Sequence, residues 1–170
     1  MTLTTISIIV ATAIYVAYNA ICLALFAIPK SLSDTYYLWK RRNGKGYLFS
    51  LMMYAVVALM MPAWITMSEG SNFQFLSFLA PTAIAFVGTA PRFKDTELEN
   101  HVHMTSAYLA AAFALAWVAL VTPYWWVILV WGAMISCCLT VTKTYSCLVY
   151  WLETIAFGAT FTTAIMYSML

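Results

Sequence analysis

All eight Lys and Arg residues fall in three of the five hydrophilic breaks that divide this chain into apolar runs. Lys30, Lys40, Arg41, Arg42 and Lys45 lie in the first break, Arg92 and Lys94 in the third, and Lys143 in the fifth. The second break, Ser68-Glu69-Gly70-Ser71-Asn72, and the fourth, Thr122-Pro123-Tyr124-Trp125-Trp126, contain none. Basic loops stay on the cytoplasmic side of a membrane and bare ones cross it. The alternation therefore predicts an all-α polytopic bundle of six transmembrane helices with both termini outside.

Composition points the same way. The chain is 64% hydrophobic and 8% charged, with a mean hydropathy of +0.86, against roughly 25% charged in soluble domains. One span takes roughly 20 residues, so 170 residues hold six spans in a single unit and leave no room for a soluble catalytic or receptor domain. The expected spans are about 3–28, 47–67, 73–90, 97–122, 124–142 and 146–168, with a cytoplasmic loop over 30–46. The net charge of +2 is explained by topology, and a nucleic-acid partner is not expected.

Local signals refine this plan. The first run exceeds the roughly 7–15 residues of a signal-peptide core and no basic residue precedes it, so it reads as a retained span ended by Pro29. Aromatics beside basic residues from Ser33 to Arg42 suit a segment lying among lipid headgroups. Pro81, near the middle of the third run, predicts an interrupted helix. Thr96-x-x-Glu99 reads as a capping box that starts a helix near Thr96, its first two turns projecting into the cytoplasm. Cys22, Cys137, Cys138 and Cys147 show neither C-x-x-C nor zinc spacing and read as free thiols on a reducing side. No cofactor is expected.

Glu153 is the only ionisable residue deep in an expected span. A charge at that depth costs several kcal/mol unless it is paired, protonated or wetted, so it is the first candidate for a site. Asn19 falls in the inner half of its own span, with Tyr15 one turn away. Together with Tyr150 and Thr140, these residues are expected to line a polar, ligand-binding pocket open to the cytoplasm; the competing reading is hydrogen-bonded glue between helices. His101 and His103 lie about 200° apart on a helix and cannot share one metal from one face. The workable pairs are Glu97 with His101 and Glu99 with His103, each a pH-sensing or metal-ligating candidate or an ordinary solvated helix turn. Lys40, Arg41, Arg42 and Lys45 are candidates for lipid headgroups at ~1 kcal/mol per basic residue, with topogenic charge as the plainer account. Small residues from Ala156 to Ala164 would permit close helix approach.

The run Ile28-Pro29-Lys30-Ser31-Leu32-Ser33-Asp34-Thr35-Tyr36-Tyr37, with Pro62-Ala63-Trp64 and Ser68-Glu69-Gly70-Ser71-Asn72, resembles a group of small uncharacterised bacterial membrane proteins over most of the chain. The resemblance implies a bacterial six-span protein of the cytoplasmic (inner) membrane and carries no activity with it.

Three functions compete at this level. The first is a non-enzymatic bundle that binds or moves a small solute, ion or proton around Glu153, as a homo-oligomer if it transports. The second is an accessory or scaffold subunit with no site of its own. The third is a lipid-active enzyme using the Glu/His cluster ahead of the fourth span. Membrane lipids are the partners expected in every case.

Overall fold

Apart from the short basic helix at Thr35–Asn43 and the charged start of the helix at Glu97–Val121, the helices here are apolar on nearly all sides, and the fold follows from where each finds a neighbour. The computed structural model describes residues 2–170. Among them the chain forms α1 (Leu3–Phe26), α2 (Thr35–Asn43), α3 (Tyr47–Met67), α4 (Leu76–Thr89), α5 (Glu97–Val121), α6 (Trp126–Thr142) and, after a 3-10 turn at Tyr145–Cys147, α7 (Leu148–Tyr167). In sequence order α1 packs on α3, α3 on α4 and α4 on α5; α7 then touches both α5 and α1 and closes a ring of five helices. α6 packs against α7 outside the ring, and the short α2 lies against α3.

The ring buries Ile8, Phe49, Val56, Trp64, Trp117 and Val118 almost completely. Its outer surface is just as apolar: Val16, Ile21, Leu51, Phe86, Leu120 and Leu152 are all exposed. A monomer in water rarely shows contiguous apolar surface on this scale, whereas a bilayer solvates it. Helices α1, α3, α5 and the turn-plus-α7 unit have 24, 21, 25 and 23 residues and are long and apolar enough to cross a membrane. The protein is thus a membrane helical bundle. α4 and α6 are apolar but shorter, at 14 and 17 residues; at ~1.5 Å per residue α4 spans about 21 Å, against a hydrocarbon core of roughly 30 Å.

Several expected boundaries move. α1 ends at Phe26 rather than Ile28, because Ala27 turns to φ 58°, a left-handed conformation that frees the chain before Pro29 reaches it. α4 starts at Leu76, three residues late. Pro81 does not interrupt it, since it is the sixth residue of an unbroken helix; its missing N–H deprives only the Ser77 carbonyl of a partner. α2, inside the expected cytoplasmic loop, ends on Gly44, whose φ of 74° suits a residue without Cβ.

Thr96 caps α5 as its sequence implies, its hydroxyl accepting the Glu99 N–H at 3.2 Å. The reciprocal half of the box is absent. The Glu99 carboxylate instead accepts from the backbone N–H of Arg92 at 3.2 Å and from its guanidinium at 2.9 Å.

The three basic breaks gather at one end. Lys94 pairs with Asp34, its N–H donates to the Tyr37 hydroxyl at 2.8 Å, and the Cys147 thiol after the last break donates to the Ile28 carbonyl at 3.6 Å. At the other end the Thr5 hydroxyl donates to the Ser168 carbonyl at 3.1 Å, so the chain's two ends lie side by side. The Trp117 indole N–H donates to the Ser68 hydroxyl at 2.8 Å at that same end.

Candidate functional site

A loop usually runs over the surface because its backbone polar groups need water. The segment from Ile28 to Thr35 breaks that habit: Leu32, Ser33 and Thr35 are fully buried at the basic end of the bundle. Side chains and free helix ends replace the water. The Glu153 Oε2 accepts the Leu32 N–H at 2.6 Å. Tyr150, in the first turn of α7 where an N–H has no helical partner, donates that N–H to the Lys30 carbonyl at 3.1 Å. The Thr35 hydroxyl donates to the Leu32 carbonyl at 2.6 Å and lies 2.6 Å from the Tyr18 hydroxyl.

His103 closes the same loop from α5. Its Nδ1 is 2.9 Å from the Ala90 carbonyl and its Nε2 2.8 Å from the Ser33 hydroxyl. A carbonyl only accepts, so Nδ1 carries a proton. In the neutral ring Nε2 then accepts from Ser33. The ring stacks on Phe93 at 4.4 Å between centroids, and His103 is buried.

Glu153 also belongs to a second feature. It lines a half-open cavity of about 70 Å³ between α3, α4, α5 and α7. Glu153, Ala156, Phe157 and Thr160 fall at i, i+3, i+4 and i+7 on α7 and share one stripe over ~10 Å of helix. Met53, Val56 and Met60 of α3 face it with Ala107, Ala110 and Ala114 of α5, whose small side chains leave the space. Apart from Glu153, the polar groups in this wall belong to Trp64 and Thr160. The Trp64 indole N–H and the Thr160 hydroxyl are buried with no hydrogen-bond partner among the described residues. Such orphans are rare, and each costs about 1–3 kcal/mol.

Three of the four residues expected around the acid meet one another. The Tyr150 hydroxyl donates to Asn19 Oδ1 at 3.3 Å, Asn19 Nδ2 donates to the Tyr15 carbonyl at 3.0 Å, and the Tyr15 ring stacks on Phe157 at 4.6 Å. They satisfy one another along the α1–α7 seam, and none of the three lines the cavity. The expected polar pocket is therefore an apolar cavity with one carboxylate at its wall. Thr140 stands apart on α6, outside the ring, its hydroxyl donating to the Cys137 carbonyl at 2.8 Å.

The Glu/His cluster disperses. His101 and Glu97 approach to 3.6 Å on the exposed face of α5. Glu99 turns to Arg92 and His103 to the buried loop, so the expected Glu99–His103 pair does not form. Among the described residues no group of three or more His, Cys, Asp or Glu is placed to hold a metal ion. Of the expected headgroup residues, Lys40 lies 3.8 Å from Asp95, while Arg41, Arg42 and Lys45 are exposed.

Reading the sequence missed Ser33, Leu32, Trp64 and Thr160. Alanines 107, 110, 111 and 114, at helical spacing, were the visible hint of a space beside α5. No family model, no curated protein and no solved structure matches this chain.

Proposed function

We propose that this is a six-span protein of a bacterial cytoplasmic membrane, both termini outside, that binds a small amphiphilic solute in the bundle cavity. Glu153 anchors the solute's cationic or hydrogen-bond-donating group. One observation carries the reading: a carboxylate with a single hydrogen bond, from Leu32, borders a cavity whose lining is otherwise almost entirely apolar. The gathering of all three basic breaks at one end, with the chain termini together at the other, supports the topology.

The cavity's size narrows the class of solute. An engineered apolar cavity of roughly 150 Å³ admits benzene. At about 70 Å³, this one suits a chain of about three carbons by the same scale. A ligand so small gains little affinity, and a millimolar Kd is expected.

Calorimetric titration of n-propylammonium into the protein in lipid nanodiscs tests this. Saturable binding is expected, weakened at least tenfold by Glu153→Gln and abolished by Ala110→Phe, which fills the cavity. Equal binding by wild type and Ala110→Phe would defeat the proposal.

A scaffold role is the second reading, favoured by the use of Glu153 and His103 to pin the Ile28–Thr35 loop. It predicts no titration with any short amine and an undiminished fold. The dispersal of Glu97, Glu99, His101 and His103 leaves the lipid-active enzyme without a geometric basis.

A further inference from the structure

Counting charges at the basic end leaves a surplus with a definite location. The chain has six acids. Asp34 pairs with Lys94, Asp95 with Lys40, Glu99 with Arg92 and Glu97 with His101. Glu153 is inside the bundle on Leu32, and Glu69 lies in the turn after α3, at the opposite end. Among the described residues no acid pairs with Lys30, Arg41, Arg42, Lys45 or Lys143. Three of these five cations lie within five residues, at and just past the last turn of α2. The negative end of a helix dipole, about half a charge, is too small to offset them.

Position selects the partner. The Arg42 guanidinium sits over the Phe26 ring at 5.7 Å, and Trp39 meets the same ring edge-on at 5.2 Å between centroids. Phe26 is the last residue of α1, so Arg42 is held at the level where that helix leaves hydrocarbon. A guanidinium presents a planar fork of N–H donors that fits phosphate bidentately. Arg41 precedes it, and Lys45 follows the left-handed turn at Gly44, both exposed.

We propose that Arg41, Arg42 and Lys45 form a site for the phosphate headgroup of an anionic phospholipid whose acyl chains lie along α1. A zwitterionic lipid brings its own ammonium among these cations and is disfavoured. This site is separate from the cavity and stands whether or not the cavity binds a solute.

Topogenic charge requires only cations, whereas headgroup recognition requires the fork, and this difference sets the experiment. Native mass spectrometry would follow retention of phosphatidylglycerol against phosphatidylcholine of identical chains on the purified protein. Wild type is expected to keep phosphatidylglycerol preferentially. Arg41→Gln with Arg42→Gln should lower that preference by about fivefold per cation removed. Arg41→Lys with Arg42→Lys keeps the topogenic charge, so it inserts even if the Gln variant does not, and should still lose at least about threefold. Lys30→Gln with Lys143→Gln, an equal charge loss elsewhere on the face, should change little.

Wild-type retention in the double-Lys variant would overturn the proposal. So would an equal loss in the Lys30/Lys143 variant, which would mean bulk charge alone. Inorganic phosphate at millimolar concentration should not displace the lipid; displacement would reassign the surface to free phosphate.

Discussion

Glu153 shows how one carboxylate serves two neighbours at once. Its bond to the Leu32 N–H seals a buried loop, and its position in the cavity wall offers the solute an anchor. Glu153→Ala leaves a buried N–H without an acceptor and is expected to cost about 1–3 kcal/mol of stability, while Glu153→Gln keeps an amide oxygen and should cost less than half as much. Thermal denaturation of the variants in one detergent measures the difference. Equal losses would mean that the Leu32 bond contributes nothing. That an acid at this depth faces protein was legible from desolvation alone. Its partner was not, because Leu32 is 121 residues away and a backbone N–H leaves no mark in a sequence. His103 teaches the same lesson. Spacing paired it with Glu99, but Ser33, 70 positions earlier, and the Ala90 carbonyl take both ring nitrogens.

At the scale of elements, periodicity and caps were reliable wherever the deciding contacts lie within one helix. The start of α5 at Thr96 is of that kind. The seat of α6 is not, since it depends on one close approach to α7. A Cβ built on Gly158 would lie 2.6 Å from the Trp131 ring, whose Nε1–H donates to the Thr162 hydroxyl at 3.2 Å. A ring held in this way yields poorly. Gly158→Ala is expected to destabilise the α6–α7 contact by about 1–3 kcal/mol, seen as faster limited proteolysis in the turn at residues 143–145 with the five-helix ring intact. An unchanged cleavage rate would show that the ring of Trp131 moves aside freely. The same outward seat explains why Thr140 is remote from Glu153: α6 never enters the ring.

For the whole molecule, the charge pattern makes a prediction about orientation. With the basic end in the cytoplasm, alkaline phosphatase fused after Leu170 should be active in bacterial cells and a cytoplasm-dependent fluorescent protein at that site dark. The reverse pair of results would invert the topology. Helical class, the apolar character of the long helices and which loops share an end of the bundle could be read directly, because hydropathy and basic residues act on each segment on its own. The closing of five helices into a ring, the exclusion of α6, the burial of Leu32, Ser33 and Thr35 and the cavity beside α5 had to await the packed chain. Each depends on contacts between residues far apart in sequence, whose shapes and hydrogen-bond needs are matched only after the helices have assembled.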